Sequence, residues 1–363
     1  MRGVGRRERR ADAPGGKGAR IAVREDARAF ARDPRQNVAL QASAGTGKTW
    51  LAMEQARRWA QAGERVAFVS YGRGVAQHVR TAMADLPAVA QPAFIGTFHQ
   101  LGYRWGVVPP ADPDQDFWER QNTALTLAAA ERLPPEERFT AFVVDEAQDF
   151  ADDWWPALLA AAGTDDYRLA VFRDDEQAVF SQRRGRPDVA LPEPFVLTEN
   201  LRNSSQIVHT FAPLIAAEIT PRGGDAHPVE FVACHPEQVE ATADAAVHRL
   251  LEQNGWRPED IVLLTTQHRH PVQQESAHDK AAYWDAFWQE DDVFYSTVAG
   301  FKGLERPVVV LAVDGFHAGI DPRSVMYAGM SRARDLLVVV GDPTDVGSAV
   351  GEKTMRRLER GRV

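Results

Sequence analysis

Val38-Ala39-Leu40-Gln41-Ala42-Ser43-Ala44-Gly45-Thr46-Gly47-Lys48-Thr49 runs from a short apolar stretch, through a turn with two glycines, into a helical pattern. A strand that enters a glycine-bearing loop and then a helix N-terminus is built to hold phosphate. The glycines let the backbone amides curl around an anion, and the first helical amides point at it. Ala44, Gly45, Thr46 and Gly47 are therefore candidate phosphate-cradling residues. Lys48 reaches the β- and γ-phosphates of a nucleotide, and the Thr49 hydroxyl is a candidate Mg²⁺ ligand. Ala42 stands where the usual pattern has its first glycine.

Outward from this loop the chain repeats one unit, a short β-branched strand, a polar turn and a helical stretch, which predicts parallel α/β sheets. The candidate buried strands are Val38–Gln41, Val66–Ser70, Ala141–Val144, Leu169–Phe172, Ile261–Thr265, Val308–Val313 and Leu336–Val340, with Leu197–Leu201 bridging two groups. With 363 residues, 44% of them apolar, the chain can fill two domain cores. We expect a basic, disordered tail over 1–32 and a first α/β domain over 33–194. A second follows over 195–346, and then a C-terminal tail over 347–363. Residues 100–138, rich in proline around a helical Phe117–Arg132, read as a small insertion on the first domain. In 266–292, Tyr283, Trp284, Phe287 and Trp288 fall along one helix face, a spacing that favours core packing over a stacking platform.

About 95 residues beyond the P-loop, Phe142-Val143-Val144 leads into Asp145-Glu146-Ala147-Gln148-Asp149. An acidic pair at the end of a buried strand is what phosphoryl hydrolysis requires. Asp145 completes a Mg²⁺ shell, and Glu146 accepts a proton from the attacking water.

With both motifs in place, the chain resembles the UvrD/Rep-like branch of superfamily 1 helicases, and further landmarks follow in that family's order over roughly residues 36–342. Ser70-Tyr71-Gly72-Arg73 and Thr97-Phe98-His99 resemble its early nucleic-acid motifs. Arg173-Asp174-Asp175-Glu176-Gln177-Ala178-Val179-Phe180 is similar to its third motif, whose glutamine senses the γ-phosphate. Asn200-Leu201-Arg202-Asn203 resembles its Asn-Tyr-Arg motif. Thr297 with Phe301-Lys302-Gly303-Leu304-Glu305 resembles the motif that contacts ribose and strand, and Tyr327-Ala328-Gly329-Met330-Ser331-Arg332-Ala333 the one that ends in an arginine finger.

The resemblance implies two RecA-like lobes with ATP and Mg²⁺ between them. Glu146, Gln177, Arg202 and Arg332 would be catalytic, and Glu305 would bind the nucleotide. Tyr71, Thr97, His99, Phe180 and Thr297 would meet the strand. Some positions depart from the family. Leu201 replaces the base-stacking tyrosine, and residues 18–35 lack the adenine-selecting glutamine. Gln182 stands where an aromatic is common, and Ala299 replaces a histidine. The space for accessory insertions is small, and no nuclease-type cluster accompanies the module.

The net charge of −9 argues against nucleic acid in bulk. It is unevenly placed, however: Arg2, Arg6, Arg7, Arg9, Arg10, Lys17 and Arg20 stand against only Glu8 and Asp12 at the N-terminus. A groove can also be locally basic on an acidic body. The expected partner is single-stranded DNA, with RNA as an alternative strand and a partner protein or nuclease as a second kind of partner. Cys234 is the only cysteine, which fits a reducing compartment. No apolar run approaches the ~20 residues that span a bilayer, and the arginine-rich start lacks a signal-peptide core. A cytoplasmic protein without a membrane partner is expected.

Overall fold

The computed structural model describes residues 37–112, 114, 117–178, 185–276, 280–289 and 292–363. The basic tail expected over 1–32 lies outside them, as do Phe180 and Gln182.

The first lobe is a six-stranded parallel sheet of β1 (Val38–Ala42), β2 (Val66–Ser70), β3 (Phe94–Thr97), β4 (Ala141–Asp145), β5 (Arg168–Arg173) and β6 (Phe195–Leu197), in the order β3-β2-β4-β5-β1-β6. β2 and β4 are buried at every position. That burial explains their unbroken apolar sequence, since parallel strands are covered on both faces. Leu51, Ala56 and Trp59 of helix Lys48–Gln61 cover one face, against Leu40, Phe68 and Phe172. Leu101, Ala130, Trp155 and Leu158 cover the other, against Val69, Phe142 and Val144. Ser70 pairs with both Thr97 and Asp145, so β2, β3 and β4 finish on one row. β5 sits between the P-loop strand β1 and the acid-pair strand β4. Asp174 and Gln177, just past β5, therefore lie between the two motifs.

A short ladder of β7 (Glu199–Asn200) and β8 (Thr220–Pro221) follows. The second sheet holds β9 (Glu230–Ala233), β10 (Ile261–Thr265), β11 (Phe294–Thr297), β12 (Arg306–Val313) and β13 (Ala333–Gly341). Their order is β11-β10-β12-β13-β9, again all parallel. In helix Lys280–Gln289, Tyr283 and Phe287 are buried with Phe294 and Phe301, while Trp284 and Trp288 pack half-buried beside them. The aromatic face is core, as its spacing suggested.

Three boundaries differ from expectation. Phe195–Leu197 pairs with Leu40–Ala42, so this stretch completes the first sheet instead of opening the second domain. Residues 347–363 are no tail. Helix Pro343–Glu359, broken at Gly351, buries Val346, Ala349, Val350, Thr354 and Leu358, and Phe231 exchanges backbone bonds with Gly361 and Val363. The 100–138 segment supplies Leu101 and Ala130 to the first lobe's own core, so it is a layer of that lobe and not an appendage. Among the described residues, no helix is long and apolar enough to cross a membrane.

Candidate active site

A cavity of about 460 Å³ opens between the carboxyl ends of the first sheet and the segments that enter β12 and β13 of the second. That size suits a small-molecule ligand. Lys48, Glu146, Gln177, Arg202, Glu305 and Arg332 all line it.

The P-loop shapes one wall. Gly45 and Gly47 have φ of 74° and 91°, a region that side-chain-bearing residues rarely adopt. Gly45 is required for a second reason: a Cβ there would lie 2.4 Å from Asn200 Nδ2. Thr46 turns inward, its hydroxyl donating to Ser43 O at 2.9 Å. Lys48 opens the helix, with Nζ 3.6 Å from Glu146 Oε1 and 3.9 Å from Asp174 Oδ2. Burial opposes its charge, but Glu146, Asp174 and Asp145 outweigh that and hold the ammonium above its usual range. An ammonium pinned among carboxylates in a buried pocket is placed to meet an entering polyphosphate.

Asp145, the last residue of β4, is fully buried, and its Oδ1 accepts the Glu146 amide at 3.0 Å. Burial, then the Glu146 charge, pushes its carboxyl up, against Lys48 and a hydrogen bond from Thr49. Its Oδ2 has no hydrogen-bond partner. An orphaned, buried carboxylate oxygen next to a hydroxyl is the donor chemistry of a hard cation, so Thr49 and Asp145 fit Mg²⁺. Glu146 has φ of 54°, the one positive φ at a non-glycine position among the described residues. Such strain persists where the surroundings fix the residue. Here Gln148 Nε2 donates to Glu146 Oε2 at 2.6 Å, and the same amide's Oε1 accepts Asp174 N at 3.0 Å. Burial would raise the Glu146 carboxyl, but Lys48, Lys302 and Arg332 override it and hold it well below the usual range. Burial likewise lifts Asp174 to about 6, with Lys48 opposing.

The second lobe reaches across at two places. Arg332, 1% exposed, donates to Gln177 Oε1 at 2.6 Å and to Ala328 O at 2.8 Å. Lys302 Nζ lies 2.5 Å from both Asp149 Oδ2 and Gln177 O, and both ionic partners are essentially buried. Gly303 makes this approach possible, since a Cβ there would lie 2.2 Å from Val75 Cγ2 of the first lobe. Breaking a buried ion pair leaves one charge uncompensated. Lys302→Met should therefore destabilise the chain by about 3–5 kcal/mol in urea denaturation. A loss under about 1 kcal/mol would show that the interlobe pair contributes little.

Arg202 takes a different place from Arg332. It is ion-paired to Glu305, whose other oxygen lies 3.9 Å from Arg334. Partial burial works against the Glu305 charge, yet Arg202 and Arg334 hold its carboxyl below the usual range. Both candidates line the cavity, but they face each other rather than Gln177.

The expected strand contacts divide. Tyr71, directly after β2, stacks on Trp154 with centroids 6.2 Å apart. His99 meets Trp154 and Trp118 edge-on at 5.0 and 5.4 Å. The two thus share one aromatic cluster beside the row that ends in Asp145. Thr97 is used differently. Only 3% exposed, it caps helix Phe98–Arg104 in a reciprocal box with Gln100. Thr297 ends β11, and its Oγ1 accepts Gly300 N at 3.1 Å. It shares a row with Thr265 and Ala312, and Ala312 lies six residues past Arg306, about 20 Å from the amino end of β12. Phe180 lies outside the described residues.

Sequence reasoning passed over Gln148, Asp174, Arg334, Trp118 and Trp154 as functional groups. The Trp154-Trp155 pair so soon after Asp149 was the one local signal.

Residues 26–183 match a family model described as an AAA domain. This is a P-loop domain found in UvrD/Rep-like helicases, and the match supports a superfamily 1 helicase-like P-loop family. With its parallel sheets the architecture is a RecA-like α/β fold. Among curated proteins none matches the chain.

Proposed function

We propose that the chain is an ATP-driven translocase on single-stranded DNA, hydrolysing ATP between its two lobes. One observation carries this reading: Lys48 and Glu146 of the first lobe and Arg332 of the second line a single cavity, with Arg332 bonded to Gln177 across the cleft. Lys48 and the amides of Gly45, Thr46 and Gly47 bind the phosphates. Glu146 takes a proton from the attacking water, while Arg332 stabilises charge developing on the γ-phosphoryl oxygens. Mg²⁺ held by Thr49 and Asp145 would add charge neutralisation on those oxygens. Because the groups come from both lobes, opening and closing of the cleft is tied to hydrolysis. Strand contacts that alternate between the lobes would turn that cycle into movement.

A second reading is favoured by a specific observation. Segment 100–138 is absorbed into the first lobe's core, and the 266–292 stretch contributes core aromatics, so neither forms a separate duplex-gripping body among the described residues. On this reading the chain is a nucleic-acid-responsive ATPase switch that signals to a partner protein. ATPase rate measured against single-stranded DNA, duplex DNA and RNA, together with streptavidin displacement, tests the first reading. Stimulation by a single strand is expected on both readings; displacement of streptavidin from the end of that strand during hydrolysis supports the motor, and stimulated hydrolysis without displacement supports the switch.

The aromatic cluster makes a separate prediction. Tyr71→Ala should weaken single-strand binding by about 1–3 kcal/mol in fluorescence anisotropy, the usual worth of one stacked base. Affinity should also fall as salt rises. Unchanged affinity would place the strand elsewhere on the molecule.

A further inference from the structure

Three buried polar side chains beside the cavity take no part in the chemistry above: Asn200, Asn203 and Tyr327, each 0% exposed. We propose that Asn203 and Tyr327 are positioning residues that tie the P-loop turn to the turn bearing Arg332, so that the two are set together. The proposal rests on the reading of the cavity as a nucleotide-hydrolysis site.

The connection is continuous. Asn200 Nδ2 donates to Ala44 O in the P-loop at 2.8 Å and to Asn203 Oδ1 at 2.7 Å. Asn203 Nδ2 donates to Ser331 O at 2.9 Å and to Ala333 O at 2.5 Å, the carbonyls on either side of Arg332. Asn200 Oδ1 accepts the backbone amide of Asn203 at 2.9 Å, which fixes the Asn200 side chain to the Asn203 backbone. Backbone bonds run alongside, from Leu201 N to Gly45 O at 2.9 Å and from Ser204 N to Arg334 O at 2.8 Å. A second strut comes from Tyr327, whose hydroxyl accepts the Ala44 amide at 2.8 Å. The residue after Tyr327 supplies the carbonyl that holds Arg332 Nε.

An asparagine is the residue this geometry asks for. Its amide nitrogen has two hydrogens for two carbonyls, and its oxygen is an acceptor for Asn200. None of these groups can turn to water instead, because all are buried, so displacing the P-loop turn alone would leave bonds unmade. A phosphate that settles the turn therefore also settles the backbone from which the Arg332 guanidinium projects.

The test is a double-mutant cycle on the full chain, with single-turnover ATP hydrolysis and nucleotide affinity as readouts. Asn203→Ala and Tyr327→Phe are each made alone and with Arg332→Ala. We expect Asn203→Ala to slow hydrolysis by about 10–100-fold with affinity changed less than about threefold, and to add almost nothing once Arg332 is alanine. A merely structural role would lower the rate by the same factor in both backgrounds, and that result overturns the proposal. So does a wild-type rate in Asn203→Ala. Should Asn203→Ala fail to fold, Tyr327→Phe removes one oxygen and keeps the ring, and its cycle is judged by the same criteria. A parent chain that hydrolyses no nucleotide would defeat the hydrolase reading itself, an outcome distinct from an active parent with unaffected variants.

Discussion

Replacing Glu146 by glutamine is expected to slow ATP hydrolysis by about 10²–10⁴-fold, the usual worth of a positioned general base. Nucleotide binding should survive, because Lys48, Thr49 and Asp145, the groups proposed to hold phosphate and Mg²⁺, are untouched. The substitution is nearly isosteric, and the new amide oxygen can still accept from Gln148 as Oε2 does at 2.6 Å. What disappears is the charge. In this structure Lys48, Lys302 and Arg332 keep the Glu146 carboxyl ionised against its burial. When Lys48 and Arg332 turn to a polyphosphate, that support weakens and a negative neighbour arrives. Both changes raise the proton affinity of Glu146, bringing the base nearer to the range where it works best at neutral pH. Lys48→Ala should behave differently and lose nucleotide affinity as well, since it removes a phosphate ligand. Fluorescent-nucleotide binding together with steady-state phosphate release distinguishes the two variants. Near-normal turnover by Glu146→Gln would remove it from the mechanism.

Much of the candidate site was legible because its two central motifs are contiguous in sequence and each follows a core strand. β1, β2, β4, β10 and the cores of β12 and β13 announce themselves as apolar runs for the same physical reason: both faces of a parallel strand are covered. The strands that were missed are short or mixed. Phe94–Thr97 contains Gly96, Glu230–Ala233 opens on a charge, and Phe294–Thr297 ends on Ser296 and Thr297. The C-terminal helix was hidden by its charges and by Gly347 and Gly351, though its buried positions keep helical spacing on either side of the break. Pairings across the cleft leave no local trace at all. Asp149 and Lys302 are 153 positions apart, and nothing in either segment says that one neutralises the other. The same holds for Asn203 and the carbonyls around Arg332, 128 and 130 positions away.

Arg332→Ala should have the larger effect, a fall in turnover of about 10³–10⁵-fold, the worth of comparable arginine fingers. The guanidinium is 1% exposed and projects from the turn before β13 to Gln177 of the opposite lobe, 2.6 Å away. Burial lowers its pKa to about 10, and the Arg202 charge adds to this; it therefore stays cationic at neutral pH. A cation held in a desolvated site acts far more strongly on charge that develops there than it would in water. Its interaction grows as the γ-phosphoryl group separates, so ground-state affinity should change much less than rate. Arg202 is no ready substitute, since its guanidinium is engaged by Glu305. Arg332→Lys should rescue poorly: an ammonium cannot hold Ala328 O through one nitrogen and Gln177 Oε1 through another in a fixed plane. The alanine substitution should also abolish stimulation by single-stranded DNA, because closure of the cleft would no longer complete the site. Single-turnover hydrolysis at saturating ATP, with and without the strand, measures both effects at once. A variant that keeps its rate and its response to DNA would leave Arg202 as the group coupling the lobes, released from Glu305 when nucleotide enters.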